Sequence, residues 1–194
     1  MIISDSHKFV FHHVPKTGGS SITAAIAPYC RNYEGVVPLD DTPKWQMAFH
    51  QPDWMHQPVI EANSPSDYFS FAFVRNPFET VVSAWNSEKF KYFDEFVDHE
   101  IYTGVEIAAR WTQFKYLTDD DGKIMVDYVG RYETLAENFY EVVGMIGIPL
   151  MILPKRNMTK NKVHDSYREY YSPVSRSLVE RKYKKDLEFF EYEF

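Results

Sequence analysis

Eleven consecutive residues, Phe11-His12-His13-Val14-Pro15-Lys16-Thr17-Gly18-Gly19-Ser20-Ser21, carry the side-chain types from which an anion site can be built. An aromatic and β-branched run feeds a turn with two glycines, three hydroxyls and one lysine. The stretch after it, SSITAAIA, has helical character. Backbone N–H groups at a helix start point at a bound anion, and the helix dipole favours negative charge there. Gly18 and Gly19 permit close approach and unusual backbone angles. Thr17, Ser20 and Ser21 offer hydroxyl donors, and Lys16 brings a compact positive charge. The order is not that of a Walker A loop, GxxxxGK[ST], because Lys16 precedes the glycines. An ordinary strand-to-helix turn with a serine cap shares the glycines and serines. The strand context and Lys16 favour a phosphate site.

A second set of groups follows in FVRNPFETVVSA, Phe73 to Ala84. Arg75 ends the nearly continuous apolar run Tyr68–Val74, the pattern of a strand buried on both faces. Open α/β sheets bind ligands at such strand ends, and the guanidinium fork matches a phosphate. Ser83 lies eight positions on, in the next helix. The plainer alternative pairs Arg75 with Glu79 and leaves Ser83 as a small packing residue.

Alternating strands and helices are needed to bring these groups together. Lys8–Val14 reads as a strand and a helix starts near Ser20. Pro28–Pro43 shows no period. Tyr68–Val74 reads as a strand, and Pro77 suits the first position of a helix to about Lys89. Helical spacing continues weakly from Phe90 to Trp111. After a DDDG turn ending at Gly122, Lys123–Val129 reads as a strand. Leu135, Phe139, Val142, Val143 and Ile146 share one face of a helix over Thr134–Ile146. Leu153–Tyr171 reads as a long, polar and basic loop, and Ser172–Phe190 as one C-terminal helix. The alternation predicts an α/β fold, a P-loop-like parallel sheet flanked by helices, in a single domain over residues 1–194.

Composition narrows the classes. Apolar residues make up 44% of the 194, enough for a sizeable core, so disorder is excluded. A net charge of −7 argues against a general nucleic-acid binder. That total hides an asymmetry, since Pro154–Lys185 holds ten basic residues and three acids. Such a segment could cover a nucleotide or attract an acidic acceptor, although Arg181–Lys185 also fits a solvated helix face. Cys30 is the single cysteine, which rules out an intramolecular disulfide and a cysteine-rich zinc site. Asp119-Asp120-Asp121-Gly122 opens like a calcium loop but lacks the later ligands and closing Glu, so no metal is expected. Met1–Lys8 is polar, and no apolar run reaches the roughly 20 residues of a membrane helix. The expectation is a soluble cytoplasmic protein with no membrane span, of undetermined oligomeric state.

FHHVPKTGGSS resembles the 5′-phosphosulfate loop of sulfotransferases that use 3′-phosphoadenosine 5′-phosphosulfate (PAPS). It is most similar to the branch with the heparan and chondroitin enzymes and many small bacterial members. Arg75-Asn76-Pro77 with Ser83 resembles that family's 3′-phosphate motif, although Thr80 stands where many relatives carry a basic residue. Asp127–Glu133 resembles a family strand ending in Gly-Arg-Tyr-Glu. The resemblance implies a sulfotransferase fold. It also implies in-line transfer of the PAPS sulfuryl group to a hydroxyl or amine of an acceptor, with 3′-phosphoadenosine 5′-phosphate (PAP) as product. A carbohydrate or small metabolite is the expected acceptor, with lipid headgroup and peptide also open, and the net charge argues against a nucleic-acid partner. Lys16, Thr17, Gly18, Gly19, Ser20 and Ser21 would then hold the 5′ side, and Arg75 and Ser83 the 3′-phosphate. Arg131, at a strand end, either faces the nucleotide or pairs with Glu133 or another acid.

An acceptor hydroxyl also needs a base. His12 and His13 alternate on a strand, so one faces the core and the other the site or a helix. His7, His99 and His164 read as solvated. In relatives a His after a short strand and ahead of a helix supplies the base, and His50 fits that order; His56 and Glu79 remain alternatives. Lys16 and His50 are thus the catalytic candidates. Tyr29–Pro43, Phe90–Thr112 and Pro154–Tyr171 would form the variable acceptor walls. Two other classes stay open: a P-loop-type nucleotide kinase or phosphotransferase, and a non-catalytic adenosine-phosphate-binding module. The position of Lys16 and the lack of a clear Walker B acid count against the kinase.

Overall fold

The computed structural model describes residues 1–30, 59, 65–87, 90–102, 112–154 and 164–194. A short strand, β1 (Ile2–Ser4), pairs antiparallel with β2 (Phe9–His12). Next in the sheet are β3 (Phe69–Val74) and β4 (Tyr128–Arg131), in the order β1-β2-β3-β4. β2, β3 and β4 are mutually parallel, with His12 opposite Ala72 and Val74 opposite Arg131. The anticipated parallel α/β sheet is therefore present, with one antiparallel edge strand that the polar start of the chain concealed.

Phe9, Phe11, Phe71 and Phe73 alternate onto one face of the sheet, all fully buried. Against them pack Ile22 and Ile26 of α1 (Gly19–Ile26), which a 3₁₀ turn over Ala27–Tyr29 follows. The opposite face carries Val14, Ala72 and Val74. Beyond β3 come α2 (Pro77–Trp85), α3 (Phe93–Tyr102) and the short α4 (Gln113–Leu117). Tyr116 and Leu117 of α4 fill that opposite face. After β4 and a 3₁₀ turn over Tyr132–Thr134, α5 (Leu135–Ile146) sets Phe139, Val142, Val143 and Ile146 on the first face, as its spacing requires. A 3₁₀ turn over Tyr167–Tyr170 leads to α6 (Pro173–Lys182) and α7 (Lys184–Phe189). Leu178 and Val179 of α6 bury against Phe78 and Val81 of α2 and Phe96 and Val97 of α3.

Caps place several ends. Asn76 accepts the Phe78 N–H with Pro77 at the first position of α2. Ser172 forms a reciprocal cap with Ser175 ahead of α6. Gly147 closes α5 at φ +68°.

Four boundaries differ from the reading of the sequence. α2 stops at Trp85, where Asn86 caps it. The strand read at Lys123–Val129 begins at Tyr128. Asp119 accepts the N–H groups of Asp121 and Lys123, so Ile124 returns against Thr118 rather than onto the sheet. α4 lies where no helix was read. The single helix read over Ser172–Phe190 breaks at Tyr183. The break lets α6 face α2 and α3 while α7 turns under α4. Among the described residues no helix is long and apolar enough to cross a membrane.

Candidate functional site

β2 delivers the chain to the loop. The Val14 N–H bonds back to the His12 carbonyl at 3.1 Å, and Lys16 takes φ +66°, in the left-handed region. Thr17 is buried and donates its hydroxyl to the Val14 carbonyl at 2.9 Å, so in this structure it ties the turn together. Gly18 sits at φ +83° at the entry of α1; a side chain there would be strained and its Cβ would lie 2.8 Å from Leu135 Cδ2. α1 then opens with no side-chain cap and no acid in its first turn, in contrast to α2, which has Asn76 and Glu79. Gly19 lies against the His13 ring, and Ser20 and Ser21 follow in the first turn.

Arg75 leaves β3 beside this loop. Its Nε donates to Glu79 Oε2 at 3.1 Å and its Nη1 to the Lys16 carbonyl at 3.2 Å. The guanidinium stacks on the Tyr132 ring at 3.9 Å. Its side chain is 15% exposed, and no described residue hydrogen-bonds Nη2. Lys16 Nζ donates to Ser87 Oγ at 3.0 Å. The loop and the α2 segment thus touch at both ends. Glu79 and Ser83 follow Arg75 at intervals of four, which sets both along one side of α2; Ser83 is half-buried there, and Ser87 lies in the turn past the helix end. Both readings of Arg75 have a place in this geometry, because it pairs with Glu79 and borders the loop.

Arg131 ends β4. Its guanidinium donates to the Phe190 carbonyl at 2.6 Å and stacks on Tyr192 at 4.7 Å. Its neighbour Glu133 instead accepts the Asn76 N–H at 2.8 Å and the Tyr192 hydroxyl at 2.9 Å. The C-terminal strap is held close to both strand ends, since Asn76 Nδ2 also donates to the Glu193 carbonyl at 2.9 Å. Lys16 and Arg75 follow the carboxyl ends of β2 and β3 and Arg131 forms that of β4, the end where such sheets bind ligands.

Of the histidines, His50 and His56 lie outside the described residues. His12 and His13 are both buried. His13 stacks on Phe11 at 5.7 Å and faces α1 through Gly19. Neither ring nitrogen of His12 has a hydrogen-bond partner among the described residues, and burial pushes its pKa down to about 4, so it is neutral. His7, His99 and His164, read as solvated, are partly so, with the His164 side chain 38% exposed. Each is half-buried against an aromatic ring, Tyr29, Phe90 and Tyr170 respectively. Among the described residues no group of three or more His, Cys, Asp or Glu is arranged to hold a metal ion.

Three contributors escaped the reading of the sequence. Tyr132, Glu133 and Gln113 all touch Arg75 or Asn76. The first two lie in the Gly-Arg-Tyr-Glu run, which was a usable signal; Gln113 had none.

Two comparisons bear on this geometry. A family model described as "Sulfotransferase family" matches residues 1–193. A protein of Archaeoglobus fulgidus described as uncharacterized is 30% identical over 104 residues, covering 50% of this chain and 83% of that one.

Proposed function

The chain belongs to the sulfotransferase family, whose members transfer sulfuryl groups, and from that premise we propose that it moves the sulfuryl group of PAPS to a hydroxyl or amine of a carbohydrate or small-metabolite acceptor. One observation carries the choice of donor: Arg75 Nη1 rests on the Lys16 carbonyl at 3.2 Å. The contact joins the two phosphate-matching segments at neighbouring strand ends, as a nucleotide with a 5′ and a 3′ anionic group requires. The residues fit such a ligand. α1 opens without a cap or acid of its own, and Arg75 lies on Tyr132 with Nη2 unengaged by any described residue.

PAPS would supply an activated sulfuryl group on a phosphate leaving group. Lys16 and the N–H groups at the start of α1, with the hydroxyls of Ser20 and Ser21, hold and neutralise the charge on the 5′ side. Thr17 and Gly18 shape the turn that aims them. Arg75 and Ser83 bind the 3′-phosphate. Arg131 borders the same strand ends and keeps the C-terminal strap in place. His50 accepts the acceptor's proton, with His56 and Glu79 as the other candidates. Catalysis of this kind is mostly positioning and charge stabilisation.

Calorimetry tests the donor. PAP should bind at least about tenfold tighter than 5′-AMP, since the 3′-phosphate adds charge-assisted hydrogen bonds. Equal affinities would show that Arg75 and Ser83 do not read a 3′-phosphate. With labelled PAPS and a panel of acceptors, Lys16→Ala should lower turnover. His50→Ala should lower it by about 10²–10⁴ while leaving PAP affinity intact. A fully active His50→Ala protein removes that residue from the mechanism.

A further inference from the structure

Arg75 is the first residue past β3, whose last ladder pair with β4 is Val74 opposite Arg131. Its N–H and C=O have therefore left the sheet, and buried backbone groups need partners. One side chain satisfies both. Gln113 Oε1 accepts the Arg75 N–H at 2.7 Å, and Gln113 Nε2 donates to the Arg75 carbonyl at 2.7 Å. A primary amide used this way reproduces the paired bonds that a neighbouring strand makes to one residue. Gln113 is 4% exposed and is itself fixed. Its N–H donates to Asp186 Oδ2 at 2.8 Å, and the next N–H, of Phe114, donates to Asp186 Oδ1 at 2.9 Å. Asp186 is fully buried on α7.

We propose that Gln113 is a positioning residue for Arg75: it clamps the arginine backbone so that the guanidinium, stacked on Tyr132 and bonded to Lys16 and Glu79, presents its remaining edge to the 3′-phosphate. The inference rests on the PAPS reading above. Gln113 touches no ligand in it. Its amide is spent on the arginine backbone, and the anchor runs from α7 through Asp186 to α4 and on to the strand end. Two fixings result. The backbone is held from α4, and the side chain is held by the loop, α2 and the turn after β4. Without the amide the backbone of Arg75 is free to turn about the end of β3, and the guanidinium leaves the stack that aims it.

A double-mutant cycle read by calorimetry separates this role from general support of the fold. Gln113→Met should weaken PAP binding about tenfold, the scale of one or two lost hydrogen bonds, and leave 5′-AMP within about twofold. In an Arg75→Ala background the same substitution should weaken PAP no further. Full PAP affinity in Gln113→Met overturns the proposal. So does an equal loss for PAP and 5′-AMP, or losses that add in the double variant. If Gln113→Met does not melt cooperatively, Gln113→Glu is read in the same cycle with the same outcomes. It keeps the volume and the acceptor for the Arg75 N–H but sets a carboxylate oxygen against the Arg75 carbonyl. Parent protein that prefers PAP to 5′-AMP while Gln113 proves neutral sinks only this inference. Parent protein with no such preference sinks the PAPS reading and this inference with it.

Discussion

His13 and Gly19 fit each other so closely that a methyl group on Gly19 would overlap ring atoms Cδ2 and Nε2 of the histidine. The ring is buried and stacked on Phe11, and the Tyr116 hydroxyl fixes the backbone that carries it through the His13 carbonyl at 3.2 Å. Gly19→Ala should therefore destabilise the protein by about 1–3 kcal/mol, the usual cost of overpacking, and weaken PAP binding by moving the start of α1. Urea unfolding with calorimetry reads both; parental stability in the Gly19→Ala variant would show that the loop relaxes freely. The two glycines were legible as a pair, but only the folded chain separates them. Gly18 is required by its backbone angle and Gly19 by a neighbouring ring. Arg131 shows the limit more sharply. Glu133, the acid two residues on, was the visible partner, whereas the guanidinium bonds the Phe190 carbonyl, 59 positions away. Local sequence carries no trace of such a contact. Gln113 is the same case, since its partner Arg75 is 38 positions distant.

At the level of elements, long and strongly periodic segments could be read and short ones could not. β3 and α5 emerged close to their boundaries because one is a continuous apolar run and the other repeats its apolar residues with helical period. α4 has five residues, too few to display a period, and is held by Asp186 from α7 rather than by its own propensity. The break at Tyr183 was hidden because both halves are helical, and only packing on two different partners separates them. α5 also offers a test of local propensity. Gly144 lies inside the helix, and a methyl group there would meet nothing within 4 Å. Gly144→Ala should stabilise the protein by about 0.4–1 kcal/mol, through the smaller backbone freedom of the unfolded chain. A raised melting temperature checks it, and a lowered one would mean that α5 tolerates no added bulk at that position.

For the molecule as a whole, the described part of the basic Pro154–Lys185 segment places Arg168, Arg176, Lys182 and Lys184 against neighbours, the basic residues at 155, 156, 160 and 162 lying outside the described residues. Lys182 bonds the Glu100 carbonyl at 3.1 Å, Arg176 pairs with Glu180 at 2.7 Å and Lys184 lies 3.7 Å from Glu188. Arg168 and Arg176 stack on Phe194. The Arg176 and Lys184 pairs are exposed and contribute little, whereas two buried side chains, His12 and Asp186, bend the pH response in opposite directions. Burial holds His12 at about 4, below its ordinary 6.5. Between those values the unfolded chain takes a proton that the folded one refuses, so stability rises with pH. Burial pushes Asp186 up to about 6 from 3.8, against the pull of the Phe114 and Gln113 N–H groups. Between 3.8 and 6 the folded chain keeps a proton that the unfolded one has released, so stability falls as pH rises. The two slopes oppose each other over about pH 4–6, and of the two the His12 slope alone continues to about 6.5. In urea unfolding the contributions of these two side chains should therefore largely cancel across pH 4–6, while the buried N-terminal amine, lowered from 8.0 to about 5, adds stability as pH rises above 5. Asp186→Asn should gain stability as pH rises through that window, and His12→Gln should lose it. Variants whose profiles both parallel the parent's would mean that neither group sets the response.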